Sequence, residues 1–377
     1  MASSHIYHSQ HKVGIHHYAD HFVRDGWRTC FLASQLSPLH LLRQKERIFS
    51  LEKFNLWRTG GQASDSFFSY SFLSLLPVLP FWTNGFILDR HFKWTVPPLG
   101  SVLRKRGFDE VDILWISNPQ AAGLRGFLKH RLLVHRVTDA WNEFDGIPAR
   151  VKKTYSKAHE QCDLIIVTAG DLFNNLESKY GSEKVLYIPN GCDFNHFRKR
   201  AIPTPAAYES IPSPRTLFMG IIGPWFDQDL LISCASRLKE ISFIVIGPAV
   251  VDISRLYGEK NIHVLGPRRY SDLPPYVINA DVGMIPFKRN RFVQSIHPLK
   301  LYEYMASGLP VVSSDWEELR KIASPAFLAD SGDGFCDALK ACLSWNNRDV
   351  LVNFASKNDW SDRYGRIKAE IDRRLGL

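Results

Sequence analysis

Residues 295–314, SIHPLKLYEYMASGLPVVSS, decide how this chain folds. They read as a loop, a short helix, a tight turn and a buried strand. Pro298 is placed to open the helix, whose first turn does not need the missing N–H. Leu301, Tyr304 and Met305 stand at i, i+3 and i+4 and form one apolar stripe that faces a core. Lys300 and Glu303 share another face, three residues apart. Gly308 is placed for a left-handed cap, after which residues 309–312, with Pro310, begin a buried strand. A helix start of this kind can hold a nucleotide. Lys300 and the backbone N–H groups of the first turn, Leu299 included, would meet phosphate, and Glu303 would accept ribose hydroxyls. A plain strand-capping helix is the other reading of the same spacing.

At 377 residues the chain is long enough for two domains, each with its own core. Its 45% hydrophobic and 23% charged residues are ordinary for a globular protein. The net charge of +9 suits an anionic substrate, an acidic membrane surface or a nucleic acid. Nucleic acid is set aside, because no basic stretch interleaved with aromatics runs through the chain. The six cysteines are scattered without a Cys-x-x-Cys pair, and Cys30, Cys162 and Cys234 lie in or beside apolar segments. They read as reduced core residues, which favours the cytosol. Residues 1–10 are polar and histidine-rich and lack the apolar centre of a signal peptide.

The N-terminal half opens on a polar loop, so its first strand is either very short or clipped at its front by the choice of start codon. A helix is expected over 14–25, with Ile15, Ala19 and Phe22 facing the core, then a strand over 27–33. His5, His8, His11, His16 and His17 lack the carboxylate or thiolate partners of a metal set and read as solvated loop residues. Residues 43–58 are basic, and 67–88 are rich in Phe, Leu and Trp but broken by Pro77 and Pro80. The pair suits either a surface resting on an anionic bilayer or an internal hydrophobic helix pair.

Regular alternation follows: strands over 113–117, 132–137, 164–168 and 185–188, with helices over 120–129, 148–161 and 171–180. That is the pattern of parallel βαβ units, whose ligands gather at the carboxyl ends of strands. Asp139 follows one such strand, where a carboxylate could take a proton from a hydroxyl; an N-cap or turn aspartate is the alternative. Proline-rich residues 201–214 read as a linker. A second α/β half then begins with a strand over 216–223 ending in Gly220 and Gly223, which can let a diphosphate approach the backbone. Its later helices fall over 230–239, 272–279, 334–344 and 360–375, and its strands over 243–247, 263–266 and 282–287. Arg268, Arg269, Lys288, Arg289 and Arg291 stand on its strand-end loops and are candidate phosphate cations.

Lys300, Glu303, Ala306, Gly308 and Pro310 together resemble the nucleotide-sugar signature of family 4 glycosyltransferases of the GT-B fold. Residues 1–42, SSHIYHSQHKVGIHHYADHFVRDGWRTCFLASQLSPLHLL within them, resemble the opening of the xanthan-type, membrane-associated glucuronosyltransferases. The resemblance covers most of the chain and is strongest in these two stretches. It implies an α/β protein of two Rossmann-like, doubly wound parallel-sheet domains with an interdomain cleft: residues 1–200 for the acceptor, 201–214 linking, 215–357 for the donor, and 358–377 crossing back onto the first domain. It implies a UDP-sugar donor, a uronic acid among the candidates, and a glycan or polyprenol-linked acceptor in surface polysaccharide synthesis. It puts His5 and His16 on the acceptor side and Asp139, in the phrase His135–Asp139, at the catalytic aspartate. No cofactor and no metal are expected, cations holding the leaving diphosphate. The enzyme would work on the inner face of the plasma membrane.

Two positions depart from family 4. No Arg and Lys follow the glycine loop, where Pro224-Trp225-Phe226-Asp227 stands, and Ser295 replaces the acidic residue eight positions before Glu303. The glucuronosyltransferases lack both features too. A non-catalytic nucleotide- or glycan-binding protein, or a UDP-sugar epimerase on the same fold, are the alternatives.

Overall fold

The computed structural model describes residues 1–8, 12–38, 47–76, 85–138, 149–198 and 200–377. They form two compact units, Met1–Ile188 with Tyr364–Leu377, and Pro189–Arg363.

The first unit carries strands β1 (Ala2–Ser3), β2 (Thr29–Ala33), β3 (Gln62–Ala63), β4 (Phe67–Tyr70), β5 (Leu73–Ser74), β6 (Thr95–Val96), β7 (Glu110–Ile116), β8 (Lys129–Val137), β9 (Leu164–Val167) and β10 (Val185–Tyr187). Eight of them make one sheet in the order β10-β9-β8-β7-β1-β2-β4-β3, parallel except for β3. The expected short first strand is two residues long and lies inside the sheet, pairing with both β2 and β7. The helix Gly14–Arg24 buries Ile15, Tyr18, Ala19 and Phe22, the predicted face plus one aromatic. The C-terminal helix Trp360–Leu375 has its predicted bounds. Its Ile367 and Ile371 are buried, and Tyr364 donates to Asp25 (2.9 Å) and stacks on His21.

The second unit holds β11 (Arg215–Met219), β12 (Ser242–Ile246), β13 (Ile262–Gly266), β14 (Val282–Ile285), β15 (Val311–Ser314) and β16 (Phe327–Ala329). All pair in parallel in the order β13-β12-β11-β14-β15-β16. Strand order therefore reverses between β11 and β14, which opens a crevice at their carboxyl ends. The central strands β11, β12, β14 and β15 are almost wholly buried, as the middle of a helix-covered parallel sheet requires, whereas the edge strands β13 and β16 are partly exposed.

Four expectations change. Residues 201–214 are not a free linker: Tyr208 and Ile211 are buried in the second core, and Tyr208 donates to the Tyr276 carbonyl (3.1 Å). The boundary falls instead between Ile188 and Pro189, and the returning segment begins at Tyr364. Within 67–88, Phe67–Tyr70 is neither a helix nor a surface segment but a strand paired with β2; residues 77–84 lie outside the described part. The helix expected over 120–129 is a 3-10 helix, Pro119–Gly126, because Lys129 already belongs to β8. All six cysteines are free thiols, and five are buried.

Candidate functional site

The stretch 295–314 folds as read, with one shift. Pro298 is the N-cap of the helix Leu299–Ala306 rather than its first residue. Leu301, Tyr304 and Met305 are buried. At the far end Gly308 takes φ +70°, its N–H bonds Met305 O (2.9 Å) and that of Leu309 bonds Tyr304 O (3.0 Å). This paired closure needs a residue free to enter the left-handed region. The Tyr304 ring lies so close to Gly283 of β14 that a methyl there would come within 2.5 Å of it. Its hydroxyl accepts from Met219 N–H of β11 (2.8 Å). The helix is thus locked onto the two strands that flank the crevice.

Its other face carries the chemistry. A methyl on Gly220 would lie 3.0 Å from both Cε and Nζ of Lys300, and Gly220 itself has φ +140°. Glycine is required there twice over, by conformation and by the approach of the lysine. Lys300 Nζ sits 4.6 Å from the ring centres of Phe218 and of Phe287. These rings hold the cation without neutralising it. Among the described residues neither Lys300 nor Glu303 has a hydrogen-bond or ion-pair partner. Burial pushes Lys300 down to about 8, against the pull of Glu303. Burial likewise pushes Glu303 up to about 7, opposed by Lys300 and helped by Asp193. A cation and a carboxylate held apart, desolvated and unpaired, are ready for a ligand that supplies phosphate to one and hydroxyl donors to the other.

The loops complete the crevice. After β11, Trp225 folds back over Gly223, which a methyl would bring to 2.6 Å from the indole. Lys288 follows β14 on the adjacent strand; its N–H bonds Trp225 O (2.8 Å) and its side chain is exposed. Arg268 follows β13, two strands from β11. Its guanidinium is occupied by the Tyr276 hydroxyl (3.1 Å) and the Pro267 carbonyl (3.0 Å). Asp227-Gln228-Asp229 has the spacing of an Asp-x-Asp metal motif but serves structure: Asp227 caps the helix Gln228–Arg237 and Asp229 pairs with Arg255 (2.7 Å). Behind the site, Asn190 donates to His297 O (2.8 Å), and Ser307 donates to Phe197 O (2.6 Å). Residues 189–197 therefore buttress both ends of the helix. His297 lies buried between the Glu318 carboxylate (2.9 Å) and the Tyr302 hydroxyl (2.7 Å).

The acceptor-side residues fall in the first unit. His16 is buried, with Nδ1 accepting from Val13 N–H (3.0 Å) and Nε2 3.0 Å from Ile6 O. Those backbone partners take both ring nitrogens. His5 is half-buried on the loop after β1. Asp139 lies outside the described residues; the strand leading to it, β8, ends at Val137. Sequence reasoning missed Phe218, Trp225 and Phe287. Phe218 could have been found, since it shares a strand face with Gly220. Phe287 could not, because β14 becomes the neighbour of β11 only through the sheet order.

Two open parallel sheets, the second with a nucleotide-type crevice at its switch point, define a GT-B protein, and comparisons with known proteins agree. The family "Glucuronosyltransferase GumK, N-terminal domain" matches residues 1–168, and "Glycosyl transferases group 1" matches residues 213–344. Among solved structures, sucrose-phosphate synthase from Thermosynechococcus elongatus superposes with TM-score 0.67 at 13% identity, covering 99% of this chain and 98% of that one. HepE of Anabaena, in complex with UDP and glucose, gives 0.64 at 14% identity, covering 98% of each. The Bacillus subtilis protein TuaH, named for a teichuronic acid biosynthesis glycosyltransferase, is 25% identical over 232 residues. That match spans 58% of each of the two chains. Together the two domain matches and the structural likeness support a GT-B, GumK-like glycosyltransferase.

Proposed function

We propose that this protein transfers a sugar from a UDP-sugar to a hydroxyl of a glycan or polyprenol-linked oligosaccharide in surface polysaccharide synthesis, with a uronic acid among the candidate sugars. The observation that carries the reading is the unpaired Lys300 above Gly220, with Glu303 one turn further along the helix. The diphosphate meets Lys300, the N–H groups at the start of the helix and Lys288; the ribose hydroxyls donate to Glu303. The acceptor oxygen attacks the anomeric carbon as the bond from that carbon to the diphosphate oxygen breaks. The hydroxyl proton passes to Asp139, and UDP leaves with the bonding electrons. Lys300 and the helix start stabilise the negative charge that grows on the leaving group. A UDP and a UDP-glucose complex of the structurally similar HepE support the choice of nucleotide. A panel of nucleotide sugars tests it by thermal shift. At about 100 times its Kd a true donor stabilises the fold by about 2.7 kcal/mol, so UDP-sugars should raise Tm by several degrees and ADP- or GDP-sugars should not. A panel without any stabilising UDP-sugar would refute the reading.

The same proposal places the enzyme against an anionic membrane, on the cytoplasmic face. Leu75, Phe86, Trp94 and Val96 are exposed on the first unit. Leu75 N–H bonds Trp94 O (2.8 Å), so these two stand side by side, and Arg90 lies over the Phe86 ring. Of the basic run, Arg43 and Lys45 lie outside the described residues, while Arg58 is exposed. Among the described residues no helix is long and apolar enough to cross a membrane. Each cation near an anionic surface contributes about 1 kcal/mol. Co-sedimentation with vesicles is therefore expected to need anionic lipid and to weaken with salt; equal binding to neutral vesicles would contradict it.

A further inference from the structure

The sheet of the first unit has its own switch point, where β1 lies between β2 and β7. A narrow pocket opens at the carboxyl ends of these strands, with room at its floor for one hydroxyl-sized group. Its lining includes Gln35, His91, Asn118, Phe72, Phe92 and Leu124. Gln35 follows β2 and is only 5% exposed, yet neither its amide oxygen nor its amide nitrogen has a hydrogen-bond partner among the described residues. A buried amide left unbonded costs stability, and a ligand that both donates and accepts would remove that cost.

The rest of the lining indicates which ligand. Among the described residues no aspartate, glutamate, lysine or arginine lines the pocket. The titratable group among the described lining residues, His91, is buried and pushed down to about 4, chiefly by that burial. It is therefore neutral. Its Nδ1 lies 3.1 Å from Leu88 O and 3.2 Å from Ile87 O. Carbonyl oxygens only accept, so the proton sits on Nδ1 and Nε2 is an acceptor. Asn118 spends its amide oxygen on Gln120 N–H (3.0 Å). Phe72 and Phe92, with ring centres 5.3 Å apart, supply an apolar wall. An uncharged donor–acceptor pair beside aromatic rings suits a hydroxyl on a neutral carbon ring.

We propose that this pocket is a sugar subsite in which the Gln35 amide binds one hydroxyl or hydroxymethyl group of the acceptor glycan and so selects a neutral sugar at that position. The assignment rests on the glycosyl-transfer reading for its biological meaning, but its test does not need the donor. Saturation-transfer NMR on the full chain would use methyl glycosides of glucose, galactose and mannose together with their monodeoxy analogues. At least one glycoside should bind, one of its deoxy analogues should bind about tenfold more weakly, and Gln35→Met should abolish that difference. Gln35→Met keeps the volume and removes the unbonded polar atoms, so its Tm should equal or exceed that of the wild type. Should it melt early, Gln35→Glu, which keeps the shape but loses the donor, replaces it. No binding by any glycoside, or a deoxy preference that survives loss of the amide, as a pocket holding only water would give, overturns the assignment. UDP-glucose affinity on the same samples separates the two readings. Its absence from the wild type, with the sugar preference intact, would remove the donor reading alone.

Discussion

Asp139→Asn is expected to lower turnover by about 100- to 10,000-fold while UDP-sugar affinity stays near wild type. An acceptor hydroxyl is a poor nucleophile at neutral pH, and direct displacement at the anomeric carbon needs a base within hydrogen-bond reach. Family 4 enzymes that retain configuration use the donor phosphate, gripped by an Arg and a Lys after the glycine loop. Here Trp225 occupies that place, folded over Gly223, and Phe226 is buried behind it. On the proposed reading Asp139 is the base instead, and the product should have inverted configuration. Asparagine preserves shape and hydrogen bonding but cannot take a proton. Single-turnover rates and NMR of the product anomer check this. A retained anomer, or near wild-type turnover in Asp139→Asn, would dismiss Asp139 as the base.

Lys300→Ala and Glu303→Ala should each weaken UDP-sugar binding at least about tenfold, because a hydrogen bond to a charged group contributes roughly 1.5–3 kcal/mol. The fold should survive, since neither side chain has a hydrogen-bond or ion-pair partner to lose among the described residues. The pH dependence gives a sharper signature. Binding needs Glu303 ionised and Lys300 protonated, whereas in the free protein these groups titrate at about 7 and about 8. Below the first value a proton must leave Glu303 on binding, and above the second one must be taken up by Lys300. Affinity for UDP-glucose should peak between the two and fall on each side by up to about tenfold per pH unit. Glu303→Gln should remove the acid limb and leave the alkaline one. Calorimetry at constant ionic strength measures both; a flat profile from pH 6 to 9 would exclude this pair as the donor contacts.

Local spacing carried much of this structure. The 3.6-residue stripe, the glycine cap and the paired charges of 295–314 made its helix and turn legible, and the alternation of apolar strands with helices made both sheets so. What failed depended on distant partners. Phe67–Tyr70 looks like part of an aromatic surface run until its register with Thr29–Leu32 makes it a strand. The proline-rich 201–214 has the composition of a linker, but two apolar side chains, Tyr208 and Ile211, suffice to tie it into a core. The helix Arg348–Ser356 was not anticipated; it buries Leu351 and Ala355 and lays Phe354 flat against Tyr302, 5.7 Å away. At the site, Gly220, Lys300 and Glu303 could be read from spacing alone. Phe287 beside Lys300 could not, because it follows β14, a strand that neighbours β11 only in the folded sheet.

Photolabelling with 5-azido-UDP-glucose, followed by peptide mapping, locates the donor site. Label should appear on peptides from residues 215–357, compete with unlabelled UDP-glucose and disappear in Glu303→Ala. Label confined to residues 1–188, or unchanged in Glu303→Ala, would contradict a donor site built on the helix Leu299–Ala306.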